Sequence, residues 1–243
     1  MRYRAVAFAR LTGYHYVVEI LKLDYQKTKD YWDIVFSDAG ECDPGVPLPF
    51  EELEKALAWL CDGSSSVLDI GCGRGTLLFR CLSLGVKSVE GLDISPEAIT
   101  LAHNIAKKHK LESRCVFSSG DAALFAENRS EQFDALILSN IIDNIIPSDA
   151  RRLCSAAAGL LNPGGKLMLK LNARRTASEL AELGVQSLEE PDFYQENTGL
   201  FFWNLSDEAV EELFTGNFHI ESRGDVDYRK YGVVNRLYLL RRK

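Results

Sequence analysis

The segment Val67-Leu-Asp-Ile-Gly-Cys-Gly-Arg-Gly-Thr76 constrains this chain more than any other. Val67–Ile70 reads as a short buried strand. Glycines at 71, 73 and 75 let the backbone turn tightly off it and approach a ligand where a Cβ would collide. A helical pattern over Thr76–Leu84 follows, ended by Gly85. Strand, glycine turn and helix form the opening unit of an α/β fold that takes ligands at its strand ends.

The alternation continues. Ser88–Leu92 is the second strand, and Ser95-Pro96-Glu97 starts a helix that runs to about His109: Ser caps, Pro takes the first helical position and an acid meets the dipole. Arg114–Phe117 and Phe133–Leu138 are the third and fourth strands, the fourth apolar enough for burial on both faces. A helix over Ser148–Leu160 leads through the turn Asn162-Pro163-Gly164 into a fifth strand, Gly165–Leu171. After a helix over Ser206–Phe214, Phe218–Glu221 and Arg236–Leu240 have no crossover helix between them and should pair antiparallel. The predicted fold is α/β: a doubly wound, mostly parallel seven-stranded sheet with an antiparallel strand at one edge and helices on both faces. Residues 1–63 read as an N-terminal helical extension or cap, with helices over Lys27–Ser37, whose Tyr31, Ile34 and Val35 share a side, and over Phe50–Cys61. Residues 64–243 form the ligand-binding domain.

Charge and cysteine content narrow the function classes. With 28 Lys plus Arg against 35 Asp plus Glu, the net charge of −7 opposes broad contact with a phosphate backbone, so no nucleic-acid partner is expected. The run Lys107–Lys110 reads as cations at a helix C-terminus. No apolar stretch approaches the ~20 residues of a membrane span. Arg2, Arg4 and Arg10 precede the first acid, Glu19, without the apolar core of a signal peptide. The cysteines at 42, 61, 72, 81, 115 and 154 form no CxxC pair, and the histidines do not cluster with them, so no metal is expected. Scattered thiols point to a reducing compartment, the cytoplasm.

Asp93 closes the second strand, 24 residues after Asp69. A carboxylate there can accept both hydroxyls of a ribose, which fits any adenosine-containing cofactor. Asp69 separates the candidates. A dinucleotide fingerprint needs a further glycine where this chain has Thr76, and a pyrophosphate near Asp69 would be repelled. S-adenosylmethionine (SAM) has no phosphate and carries a sulfonium and an ammonium. The segment resembles the first motif of class I SAM-dependent methyltransferases. Gly91–Ser95 resembles their second motif, Ser119–Ala122 the third, Phe133–Asn144 the fourth and Leu160–Lys166 the turn into the fifth strand, so the resemblance covers about 64–172, with the tail matching to 241. It implies that Asp69, Gly71, Cys72 and Gly73 hold the methionine part of SAM, Asp93 the ribose, Ile94 the adenine face, and Asp121 with Ala122 the adenine edge. Ser139 and Asn140 would lie near the sulfonium, and S-adenosylhomocysteine would be the product. Cys72 suits the tight turn as a small residue more than as a reactive thiol.

Because the methyl group is already activated, positioning does most of the work, and a base is needed only for a protonated nucleophile. Asn140 and Asp143 are the candidates for catalysis, Asp143 as the base; a cap or turn residue before Pro147 is its plain structural role. Tyr31, Trp32, Asn144, Phe202 and Trp203 are candidates for the acceptor, with Tyr228 and Tyr231 as further aromatic groups. Residues 173–205 follow the fifth strand where such folds place a substrate lid. The Asn-Pro-Pro-Tyr sequence typical of enzymes acting on exocyclic or amide nitrogens is absent after the fourth strand. The expected activity is methyl transfer to a small molecule. A protein side chain of the lysine type is the alternative acceptor, and a catalytically silent binding module the alternative class.

Overall fold

The computed structural model describes residues 24–228 and 232–243. The basic chain start and Tyr231 lie outside the described residues. A seven-stranded sheet organises the rest: β1 (Ser66–Ile70), β2 (Ser88–Asp93), β3 (Cys115–Ser119), β4 (Phe133–Ser139), β5 (Leu161–Leu171), β9 (Phe218–Tyr228) and β10 (Val233–Arg242). Their order is β3-β2-β1-β4-β5-β10-β9. The pairs β1–β2, β1–β4, β2–β3 and β4–β5 are parallel, and β10 runs antiparallel to both its neighbours. The antiparallel strand therefore lies one position in from the edge.

Side-chain alternation explains the apolar strands. Leu68, Ile70, Leu136, Leu138, Leu167 and Leu169 face one layer, with α6 (Pro147–Ala157) and α8 (Asp207–Phe214) against them. Val67, Ala135, Ile137 and Met168 face the other, which holds α2 (Glu51–Cys61), α3 (Thr76–Ser83) and α4 (Pro96–Lys108). All ten side chains are fully buried, and each Leu or Ile contributes about 1.5–3 kcal/mol by leaving water. The predicted helix over Phe50–Cys61 is thus no detached cap: Leu53, Leu57 and Leu60 are buried in the second layer.

The helix α1 (Gln26–Ser37) differs from its pattern. Ile34 and Val35 are exposed, at 66% and 37%, while Trp32 and Phe36 turn inward. Polar anchoring decides the rotation: Ser95 Oγ, itself capping α4 by accepting from Ala98 N, donates to Asp33 Oδ1 at 2.5 Å.

Three features were absent from the expected pattern. The short α5 (Ala122–Glu127) follows β3 and is capped by Asp121. The strands β9 and β10 extend well beyond the apolar stretches that marked them, because edge residues such as Arg223, Gly224 and Asp225 face solvent and break the hydropathic signal. The connection after β5 folds into α7 (Ala177–Leu183) and a separate sheet, β6 (Gln186–Ser187), β7 (Phe193–Gln195) and β8 (Phe201–Trp203). Asn204 pins the two ends of this insertion together: Arg175 N donates to its Oδ1 at 2.8 Å, and its Nδ2 donates to Arg175 O at 2.9 Å.

Candidate active site

The strand order reverses between β1 and β4, and a cleft of about 630 Å³ opens at their carboxyl ends. Backbone geometry shapes its floor. Gly71, Gly73 and Gly75 adopt φ of +85°, +54° and +82°, which a side chain would resist. A Cβ on Gly73 would lie 2.9 Å from the Phe36 ring. The loop is drawn onto β2 where Gly71 N and Cys72 N both donate to Leu92 O, at 2.7 and 3.0 Å.

Asp93 braces the same loop. Gly73 N donates to its Oδ2 at 2.8 Å and Ser95 N to its Oδ1 at 3.0 Å. Each carboxylate oxygen keeps lone-pair capacity for a further donor. Burial pushes this carboxyl above its ordinary range, and the backbone donors oppose the shift. Asp69 has no such support. It is 1% exposed, and its Oδ1 has no hydrogen-bond partner. Burial, and then the charge of Asp93, push it up to about 8, with Lys170 pulling the other way. Two crowded carboxyls, one of them uncompensated, suit a positively charged ligand and oppose a pyrophosphate. These residues fit SAM by that test.

The adenine-side candidates Ile94, Asp121 and Ala122 line the cleft together with Asp93, Gly71 and Gly73. Asp121 commits one oxygen to its helix cap, accepting from Leu124 N at 2.8 Å. Cys72 packs against β2: a Cβ on Gly91 would meet its Sγ at 2.7 Å. Burial holds the Cys72 thiol well above its usual range, so it acts as a small turn residue.

Past β4, Ser139, Asn140 and Asn144 line the cleft. Asn140 adopts φ +54°, a left-handed conformation that asparagine tolerates better than most side chains. Its N donates to Lys170 O at 2.7 Å and its Nδ2 to Asn172 Oδ1 at 2.7 Å. Asn172 Nδ2 donates to Asn144 Oδ1 at 3.2 Å, and Asn144 Nδ2 returns to Asn140 O at 2.7 Å. The three asparagines thus form a closed ring, one link of it through the Asn140 main-chain carbonyl, that fixes the end of β4 against the end of β5.

Asp143 departs from its expected role. It is 1% exposed and is not part of the cleft lining. Its Oδ2 accepts from Asn172 N at 2.6 Å and its carbonyl accepts from Trp203 N at 2.8 Å. Burial pushes its carboxyl up to about 6. It is a joint between β4, β5 and β8, without access to an acceptor in the cleft.

The aromatic candidates divide. Trp32 and Phe202 line the cleft. Tyr31 does not; its ring stands edge-on to Trp32 with centroids 5.3 Å apart. Trp203 is buried beneath Arg151, 5.0 Å from the guanidinium, and also stays off the lining. Tyr228 reaches the cleft, along with Lys170, Asn172, Arg175 and Asn235, which the sequence patterns did not single out. Among these, only Lys170 carried a signal: a lone cation inside the apolar run Leu167–Leu171. Among the described residues, no group of three or more His, Cys, Asp or Glu is placed to hold a metal ion, and no helix is long and apolar enough to cross a membrane.

A methyltransferase-domain family model matches residues 62–212. The chain is 28% identical over 201 residues to a ubiquinone biosynthesis O-methyltransferase of Xanthomonas axonopodis pv. citri, covering 74% of this chain and 81% of that protein. It is 29% identical over 133 residues to a ribosomal protein L11 methyltransferase of Shewanella amazonensis, covering 54% of this chain but 42% of that protein. The chain therefore spans less than half the length of that second relative. Among solved structures it resembles the N-methyltransferase NodS of Bradyrhizobium japonicum bound to S-adenosylhomocysteine, with a TM-score of 0.64 at 18% identity over 89% of this chain and 99% of that one. That likeness carries the fold.

Proposed function

This chain belongs to the methyltransferase-domain family, whose members of the class I type are SAM-dependent, and we propose that it binds SAM in this cleft and moves its methyl group to a small molecule. The observation that carries the reading is Asp69: a buried carboxyl whose Oδ1 has no hydrogen-bond partner, set beside a loop held in left-handed turns by Gly71, Gly73 and Gly75. A cationic ligand over Gly71–Gly73 stabilises that carboxylate, adding to the pull of Lys170.

Bound SAM supplies an electrophilic methyl group on a sulfonium. Asp69 favours the positive charge, and the backbone of Gly71, Cys72 and Gly73 admits the methionine part. Asp93 accepts the ribose hydroxyls while it holds the Gly73 amide. Ile94 covers the adenine, and Asp121 with Ala122 reads its edge. Ser139 and Asn140 border the reacting atoms, and the ring of Asn140, Asn144 and Asn172 keeps that border rigid. The insertion 173–205 forms a lid over the acceptor, with Trp32 and Phe202 among the cleft walls. With Asp143 off the cleft, an acceptor that must lose a proton gives it to solvent or to another cleft group.

A small-molecule acceptor fits this cleft better than a folded protein does, because α1 and the insertion, joined where Thr28 Oγ1 donates to Gly199 O, both add to its wall. The ubiquinone relative acts on a small molecule by its name, in keeping with that reading; the L11 relative leaves a protein acceptor as the second reading. Thermal denaturation tests the first step. SAM or S-adenosylhomocysteine at saturation raises the melting temperature of the wild-type chain by mass action. No rise with either ligand removes the basis of the proposal. If binding is present but no metabolite or peptide gives turnover, the silent binding module becomes the better account.

A further inference from the structure

We propose that the acceptor end of the cleft is a carboxylate site in which Lys170 and Tyr228 grip the acid group of the methyl acceptor; the inference rests on the methyl-transfer reading above. Lys170 is 9% exposed, yet its side chain lines the cleft. Its Nζ donates to Tyr228 Oη at 2.9 Å and lies 5.2 Å from the centre of that ring. Among the described residues, no carboxylate forms an ion pair with it. Asp69 and Asp143 feel its charge at longer range, and an anion arriving at its Nζ supplies the contact partner that neither provides. The Tyr228 hydroxyl already accepts from Lys170, so its own proton is available to a third group. Two converging donors, one of them charged, suit a carboxylate.

Position assigns the pair to the acceptor. Lys170 pairs with Ser139 of β4, and β4 in turn separates it from the glycine loop on β1. Two strand spacings, about 10 Å, part it from the methionine end. Its neighbours are Tyr228 on β9 and Asn235 on β10. Asn235 is 6% exposed and is held by its Nδ2, which donates to Asn140 Oδ1 at 3.4 Å. Val185, Leu200, Phe202 and Val233 add apolar wall to the cleft, beside the polar Asn172, Arg175 and Glu196. The acceptor class this describes is a small, largely apolar acid, with its carboxylate at Lys170 and its body against Phe202.

The test uses the full chain, both free and saturated with S-adenosylhomocysteine. The probes are benzoate, 4-hydroxybenzoate and 4-hydroxycinnamate, each against its uncharged amide. Calorimetry and melting temperature are read for wild type, Lys170→Met and Tyr228→Phe. At least one carboxylate should bind while its amide does not. Lys170→Met should weaken that binding about tenfold or more, as loss of a charge-assisted hydrogen bond implies, and Tyr228→Phe by less. Both variants should keep wild-type affinity for S-adenosylhomocysteine. Carboxylates that fail to bind, amides that bind equally, or a Lys170→Met chain that holds the acid like wild type would each overturn the proposal. So would loss of S-adenosylhomocysteine by Lys170→Met, which would give Lys170 to the methionine carboxylate instead. If the wild-type chain ignores S-adenosylhomocysteine, the methyl-transfer reading fails, and the titration of the free chain still judges the acid site separately.

Discussion

The two halves of the cleft are built by different means. The half proposed for the cofactor comes from one stretch of chain around β1 and β2, and its parts are main-chain amides, glycine dihedrals and two carboxyls. The half proposed for the acceptor is assembled from α1, β5, the insertion and the β9–β10 pair, and its parts are side chains far apart in sequence: Trp32, Lys170, Phe202 and Tyr228. The first half is demanding about backbone and the second about side-chain chemistry. A substitution in one should leave the other readable, and mutation can break or sharpen that separation.

Asp93→Ala should have the largest effect. It removes the proposed ribose acceptor and strands the Gly73 and Ser95 amides. Affinity for SAM, measured by calorimetry, should fall about a hundredfold or more. An Asp93→Ala chain that binds SAM like wild type would end the ribose assignment. Phe202→Ala comes next. The ring is 8% exposed, and its loss should lower stability by about 3 kcal/mol in denaturant titration. Affinity for S-adenosylhomocysteine should stay unchanged; a parallel loss would show that the halves are coupled. Gly73→Ala should cost about 1–2 kcal/mol for its left-handed backbone, and more because the new Cβ meets the Phe36 ring at 2.9 Å. Since Phe36 belongs to α1, this contact joins the two halves. Adding Phe36→Leu should recover part of the loss in a double-mutant cycle.

The smallest effect concerns protons. A carboxyl raised above its ordinary value binds a proton in the fold that it would release in the unfolded chain. The penalty is absent below the ordinary 3.8, grows as pH rises, and is complete above the folded value, which is about 8 for Asp69 and about 6 for Asp143. Stability of the ligand-free chain should therefore decline across that window. A cationic cofactor favours ionised Asp69, so SAM binding at pH 7 should release about one proton. Calorimetry in buffers of differing ionisation enthalpy reads the number directly, and an Asp69→Asn chain should release none.

The same division explains what was legible in the sequence. Gly71, Gly73 and Gly75 announce positive φ by residue type alone, since few other residues tolerate it, and Asp93 marks the end of its strand by interrupting an apolar run. The acceptor half leaves no comparable trace. Lys170 and Tyr228 stand 58 residues apart and meet only because β10 inserts between β5 and β9. The strands β6, β7 and β8 have two or three residues each, too few for a period-two pattern. Asp143 looked like a base because it follows β4, but burial and the Asn172 and Trp203 amides give it structural work. Ile34 and Val35 suggested the buried side of α1 by hydropathy, and the Asp33–Ser95 hydrogen bond turned the helix the other way.

The closure of the insertion by Asn204 has an evolutionary consequence. Its two ends meet through the main chain of Arg175, and its last strand docks through the Trp203 amide onto the Asp143 carbonyl. Any residue except proline can supply that amide. The attachment itself therefore asks little of side-chain identity, and the exposed residues between 176 and 203 can drift while Phe193, Phe201 and Trp203 stay buried in the core. The segment behaves as a cassette on a short stem: descendants of this chain can exchange it, and with it the molecules they modify, without inventing a new way to hold SAM.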